Sequence, residues 1–103
     1  MATALNKEIN NALTRIDNSF TNIPRTRYWI SINHYHPDNG YSLFFNIQPP
    51  RTFSKSLPLL RLQDCSFDDL LVVLKAIRQS YQFTFEYLNF PRQERRILYE
   101  EVK

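Results

Sequence analysis

The first twenty residues repeat apolar positions with the period of an α-helix. Apolar residues recur at spacings of three and four from Leu5 to Phe20, which predicts an amphipathic helix over about residues 3–19. Pro24 disfavours helical geometry at the residue before it, so the helix has to end ahead of that position. The apolar stripe is expected to pack on a core, and a partner-binding helix is the alternative reading of the same pattern.

Over residues 27–48 the pattern changes to a period of two, the period of a β-strand. Two alternating segments flank Pro37-Asp38-Asn39-Gly40, a sequence typical of a hairpin turn in which Asn-Gly supplies positive φ angles. A loop over 37–40 pairs Ile30 with Ile47 and places the apolar residues of both strands on one face. The opposite face then mixes aromatic rings with amides and hydroxyls.

The following segment predicts an edge strand and then a helix. Pro58 cannot donate a hydrogen bond to a central ladder, so any strand within residues 51–65 belongs at a sheet edge. Ser66 and Asp69 have the spacing of a capping arrangement, and the apolar stripe that follows them continues to about Ser80. This helix is expected to be the main helix of the core.

The C-terminal part predicts one more strand and an ambiguous last element. Aromatic residues alternate with polar ones over 82–90, as in a half-buried strand. Residues 92–103 fit a final strand or a short helix equally well. The order is therefore α-β-β-(β)-α-β-(β/α), which predicts a single α+β domain over residues 1–103, with two helices and a mostly antiparallel sheet of three to five strands.

Length and composition agree with one folded domain. The chain has 103 residues, of which 43% are hydrophobic and 15% aromatic, enough to bury a core. No apolar run is long enough to span a bilayer, and the N-terminus lacks a signal-peptide pattern, so we expect a cytoplasmic protein without a membrane partner. The single cysteine, Cys65, cannot form an internal disulfide.

The sequence motifs give little support to a function that depends on a cofactor. One glycine, Gly40, cannot build the glycine-rich loops that hold nucleotide phosphates. His34, His36 and Asp38 have an H-x-H-x-D spacing that some zinc sites use, but two imidazoles do not complete a site. We therefore expect neither a cofactor nor a metal ion.

Catalysis finds similarly little support. Cys65 precedes a helix start, a location that can stabilise a thiolate, yet no supporting motif surrounds it, and a small buried residue is the simpler interpretation. A metal-free ribonuclease built from His34, Glu86 and arginines is a further hypothesis, which requires those groups to converge. We expect a protein without enzymatic activity.

Charge distribution directs attention to the polar face of the hairpin. The formal net charge is +3, and five of the cations lie within residues 21–61, where Asp38 is the one acidic residue. Single-stranded nucleic acid is often held on sheets whose aromatic rings stack on bases while arginines neutralise phosphates. The candidate nucleic-acid-binding residues are Arg25, Arg27, Trp29, Asn33, Tyr35, Phe44, Asn46, Gln48, Arg51 and Lys55.

These residues predict a small regulatory or accessory module that binds RNA or single-stranded DNA. The same residue types are enriched at protein interfaces, so the alternatives are an adaptor or inhibitor, phage- or plasmid-like in its compactness, and a self-associating protein. The aromatic residues would equally serve to pack a helix on this face. Which face of the sheet the helices cover therefore decides whether the predicted surface exists.

Overall fold

The computed structural model describes residues 2–21, 23–35, 40–63 and 65–102, with only the backbone described for residues 2–4 and 35. The described residues form three helices and four strands, so the fold is α+β as predicted, with a third helix as its last element. The elements are α1 (Ala2–Ser19), β1 (Arg27–Tyr35), β2 (Gly40–Gln48), β3 (Lys55–Leu62), α2 (Phe67–Ser80), β4 (Thr84–Leu88) and α3 (Arg92–Glu101).

The four strands form one mixed sheet in the order β3-β2-β1-β4. The β1–β2 and β2–β3 pairs are antiparallel, as expected, whereas β4 is parallel to β1. Two reversals leave β3 running in the direction of β1, and α2 then returns the chain so that β4 runs in that direction too. Pro58 lies in the edge strand β3, which confirms its predicted position.

The register of the hairpin differs from the predicted one by two residues. Ile30 lies opposite Phe45 instead of Ile47, and Tyr35 lies opposite Gly40. Because side chains alternate with a period of two, this shift changes the partners but leaves every residue on its predicted face. Residues 36–39, which carry most of the predicted turn, lie outside the described residues.

Gly40 has a different role from the one predicted for it. Its φ is not positive, and it is the first residue of β2 instead of part of the loop. A Cβ atom added to Gly40 would lie 2.7 Å from the carbonyl oxygen of Leu62, so the absence of a side chain lets the backbones of β2 and β3 come together at this point.

All three helices contribute to one core against a single face of the sheet. Buried side chains of α1, α2 and α3 join the inward-facing residues of the strands in one cluster, which includes Ile16, Leu74, Leu98, Ile32 and Phe45. The cluster contains the apolar stripes predicted for the first two helices. Burial of these side chains on folding is the main source of stability in such a domain.

A local signal sets where α2 begins. Asp69 donates its backbone N–H to the Ser66 side chain at 3.1 Å, and the Ser66 N–H donates to the Asp69 carboxylate at 3.3 Å, which confirms the predicted capping arrangement.

The ambiguous segment after Pro91 forms a helix, α3, in which Leu98 is buried. Helical geometry also brings Arg96 within 3.3 Å of Glu100, one turn away.

Tyr87 places a phenol in the core between the sheet and α3, and it predicts a loss of stability in alkali. Its hydroxyl has no hydrogen-bond partner among the described residues. Burial raises the pKa of Tyr87 to about 12, the nearby Arg78 lowers it, and Tyr99 adds to the rise. An unfolded tyrosine ionises near pH 10, so between about pH 10 and 12 ionisation favours the unfolded chain and stability falls as the pH rises.

Tyr87→Phe is therefore expected to remove this part of the alkaline loss and to raise the free energy of unfolding at pH 7 by about 1 kcal/mol, because it deletes a buried hydroxyl without a partner. Urea unfolding at pH 7 and above pH 10 measures both effects. Tyr81→Phe is the control, since Tyr81 is half-buried and is not among the groups that shift the pKa of Tyr87. Parallel pH profiles for the wild type and Tyr87→Phe would contradict the prediction.

Candidate nucleic-acid interface

The side of the sheet opposite the core is called the open face here. Because the buried side chains of the helices all belong to the core, none of the described helices covers it. The strand registers turn the following residues toward the open face: Arg27, Trp29, Ser31, Asn33, Ser42, Phe44, Asn46, Gln48, Ser56, Pro58, Arg61, Thr84, Glu86 and Leu88. The open face therefore contains the polar hairpin face that the sequence predicts.

Aromatic side chains of the open face are partly accessible. Trp29 and Phe44 are both half-buried, on neighbouring strands. The guanidinium carbon of Arg27 lies 4.9 Å from the centroid of the Trp29 ring, within cation–π distance. The cation thus lies over the ring, and the two groups together are the combination that binds a base and its phosphate.

A chain of hydrogen bonds crosses the open face from β3 to β4. Ser56 donates to the Asn46 side-chain oxygen at 2.6 Å, Asn46 Nδ2 donates to Ser31 Oγ at 2.7 Å, and Ser31 donates to Glu86 at 2.9 Å. The direction follows from its end, because a carboxylate only accepts and Ser31 must donate to it. Asn46 and Ser31, exposed by only 4% and 8%, are therefore buried with hydrogen-bond partners.

Three residues of this chain, Ser31, Asn46 and Ser56, line a shallow depression of about 390 Å³. Its polar lining consists of hydroxyl and amide groups, including Asn33, whose side-chain oxygen accepts a hydrogen bond of 2.6 Å from Asn89. Phe44 and Leu88 provide apolar walls. The described side chains that line this depression are uncharged, and Glu86 is not among them, so its chemistry suits a neutral, hydrogen-bonding ligand. We call it the amide depression.

A second depression, of about 230 Å³, lies beside the first at the bulge between β2 and β3. Phe44 lines both depressions. The lining here includes two arginines, Arg15 from α1 and Arg61 from β3. Arg15 donates to the carbonyl oxygen of Leu59 at 2.6 Å, which holds its guanidinium group at the edge of the sheet. We call this second site the arginine depression.

Four predicted cations gather at one end of the sheet. Because the neighbouring strands are antiparallel, β1 begins, β2 ends and β3 begins at the same end. Arg27 and Lys55 begin β1 and β3, and Arg25 and Arg51 lie in the adjoining connections, each with a positive φ. All four are exposed, and we call them the basic end. Phe53, in the same connection as Arg51, is 96% exposed.

The structure thus places most of the predicted residues together but not all on one surface. The residues it turns toward the open face are Arg27, Trp29, Asn33, Phe44, Asn46 and Gln48. Lys55 lies opposite Ile47 and so starts on the core side of the edge strand, although it is exposed. Tyr35 ends β1, and its side chain lies outside the described part of the structure.

Several residues of the open face come from segments that no local sequence pattern connects with it. Glu86 and Leu88 reach it because β4 lies beside β1, and Ser56 and Arg61 because β3 lies beside β2. Alternation within 82–90 does predict that Glu86 and Leu88 share a side of their strand. The position of that strand in the sheet depends on contacts that no local pattern reveals.

The groups of the ribonuclease hypothesis lie on opposite sides of the sheet. His34 is buried on the core side, stacked on Tyr41 at 4.7 Å, with its Nδ1 atom 3.9 Å from Glu94. Glu86 is on the open face, so the structure does not bring these two groups together. In this environment burial raises the pKa of Tyr41, and the neighbouring Glu94 and Cys65 raise it further.

The other candidate sites show no converging ligands in the described chain. His36 and Asp38 of the H-x-H-x-D pattern lie outside the described residues. Among the residues that are described, no three His, Cys, Asp or Glu side chains are placed to hold a metal ion. Cys65 is half-buried, and its thiol donates to the carbonyl oxygen of Gln63 at 3.4 Å.

Fold and surface together define an α+β domain with three helices on one face of a mixed four-stranded sheet and a polar, aromatic surface on the other. None of the helices described has both the length and the apolar character needed to cross a bilayer. Comparison with protein-family models, with curated proteins and with solved structures finds no match for this chain.

Proposed function

We propose that this protein binds single-stranded RNA or DNA on the open face. The observation that carries the proposal is the partly accessible Trp29 ring, with the Arg27 guanidinium over it, on a face that no described helix covers. A base stacks on an aromatic ring through its π-face, whatever its identity, and a guanidinium group neutralises a phosphate. Both groups belong to the folded sheet, and the Arg27 guanidinium, which lies over the ring, has to turn toward a phosphate for a base to stack there.

A single strand fits this surface better than a duplex. Trp29 and Phe44 offer faces for stacking, which only an unstacked base can use, and bases inside a duplex are already stacked on each other. No described helix projects from the open face toward a major groove, the usual reader of duplex DNA. The ligand is therefore a flexible strand whose bases are free to turn toward the sheet.

Charge supports the same assignment. Arg27 and Arg61 are cationic, and Glu86 is the one acidic residue among the side chains that the described strands turn to the open face. Ser31 donates to the Glu86 carboxylate. The basic end extends the positive surface past the ends of the strands, so a strand stacked on Trp29 has phosphates near several cations.

Binding is expected to weaken steeply with salt. If the four cations of the basic end each neutralise one phosphate, the logarithm of affinity should fall against the logarithm of salt with a slope of about −3, or about 50-fold for a fourfold rise in salt. Fluorescence anisotropy with labelled RNA and DNA strands of mixed sequence measures the slope and shows which sugar is preferred. A duplex of the same sequence should bind more weakly.

Two results would overturn the proposal. One is no binding of either strand at low salt. The other is binding that salt leaves unchanged, since contacts between apolar side chains are not screened. Sedimentation of the protein alone at the same concentrations provides the control for self-association, which would bury the open face or another surface without any nucleic acid.

A further inference from the structure

We infer that the open face reads one nucleotide of the bound strand, with a uracil or thymine base in the amide depression and its phosphate at the arginine depression. The inference rests on the proposed function and goes further, because stacking on Trp29 does not depend on the base. Three features of the described residues lead to it: the direction of the hydrogen bonds, the separation of neutral from charged groups, and the position of Phe44 between the two depressions.

Hydrogen-bond direction leaves amide hydrogens of two asparagines without a partner among the described residues. Asn33 accepts from Asn89 through its side-chain oxygen, so its amide hydrogens remain for another partner. Asn46 accepts from Ser56 and uses one amide hydrogen toward Ser31, which leaves the other. The two asparagines therefore offer N–H groups on one depression, and a ligand has to supply acceptors to match them.

Uracil and thymine match this arrangement among the common bases. Each has two carbonyl oxygens on either side of one N–H group, so both carbonyls can accept from Asn33 and Asn46. Ser31, which lies between the two asparagines on the open face, donates to Glu86 and accepts from Asn46, so its remaining lone pair can accept from the N–H between the carbonyls. The pairing edge of adenine has a single acceptor and would leave one of the amide donors without a partner, at a cost in affinity. Cytosine has two acceptors but no N–H between them for the serine oxygen.

The two depressions differ in the charge of their lining, as the base and the phosphate of a nucleotide differ in charge. The amide depression is lined by neutral side chains, which suits a neutral base, whereas the neighbouring depression is lined by Arg15 and Arg61. Guanidinium groups bind phosphate through paired hydrogen bonds. Because Phe44 lines both depressions, a nucleotide that packs its base against Phe44 has its phosphate on the side of the arginines.

The test compares oligo(dT) with oligo(dA), and oligo(U) with oligo(A), at equal length and low salt. The wild type is expected to prefer the pyrimidine by about fivefold or more. Asn33→Asp keeps the oxygen that accepts from Asn89 but removes the amide hydrogens, so the preference should fall to near equality. Gln48→Glu is the matched control: it makes the same chemical change on the open face, outside the amide depression.

Both carboxylate variants weaken binding in general, because each adds a negative charge, and the ratio of the two affinities removes that common effect. Arg61→Gln should weaken both homopolymers to the same extent and keep the ratio, as expected for a phosphate contact. Urea unfolding of each variant confirms that the sheet is intact.

The outcomes separate this inference from the proposed function. Binding with no base preference, or a preference that Asn33→Asp retains, overturns the base assignment and leaves nucleic-acid binding standing. An equal fall of the ratio in Gln48→Glu also overturns it, since the preference would then arise from charge. No binding of any homopolymer overturns both.

Discussion

Phe45→Ala should lower the free energy of unfolding by about 3–5 kcal/mol, the range for deleting a buried aromatic side chain. Phe45 is fully buried on the core side of β2. Its ring centroid lies 5.3 Å from Phe83, 5.8 Å from Tyr28 and 6.4 Å from Phe20, so the substitution removes the middle of an aromatic cluster. Urea unfolding monitored by circular dichroism measures the change.

The same chain provides a matched control for this substitution. Phe53→Ala deletes an identical side chain from the connection between β2 and β3, where it is almost fully exposed. Its effect on stability should stay within about 0.5 kcal/mol, as for other surface substitutions. Similar losses for the two variants would show that Phe45 does not occupy the packed position described here.

Trp29→Ala should weaken the binding of single-stranded nucleic acid by about 1–3 kcal/mol, or roughly 5- to 150-fold, because stacking on the indole is lost. Trp29→Phe retains an aromatic ring and should lose much less. The salt dependence should remain close to that of the wild type for both variants, since neither removes a cation. Fluorescence anisotropy at several salt concentrations separates the stacking contribution from the phosphate contribution.

Arg27→Gln provides the complementary control. It removes the guanidinium group over Trp29 but keeps the ring, so the salt slope should become shallower by about 0.7. If Trp29→Ala binds as tightly as the wild type while remaining folded, the ligand does not stack on this ring. The open face would then need a different explanation, such as a protein partner.

The faces of individual strands were predictable because they depend on neighbouring residues alone. Trp29 and Asn33 share a side of β1, and Phe44 and Asn46 lie on the matching side of β2, although the predicted register was wrong by two residues. An even shift preserves the face, so the error had no effect on which side chains meet solvent. The helix start at Ser66 was predictable for the same local reason.

The pairing of residues across strands was harder to predict from the sequence. The loop length that sets the hairpin register depends on whether Gly40 belongs to the turn or to β2, and its close approach to Leu62 in β3 favours the strand. The chain of hydrogen bonds ending at Glu86 requires β4 to lie beside β1, although more than fifty residues separate Ser31 from Glu86 along the chain. Neither contact produces a periodic pattern in the sequence from which it could be predicted.

Residue order alone thus establishes the α+β class, the two faces of the hairpin and the cation-rich segment, since each follows from propensity and periodicity over a few residues. Three-dimensional packing settles that all three helices cover the same face, that β4 brings Glu86 and Leu88 to the other, and that Phe44 separates the amide depression from the arginine depression. Those features arise from contacts between distant segments, whose free energies depend on the whole core and are not encoded in any single stretch of the chain.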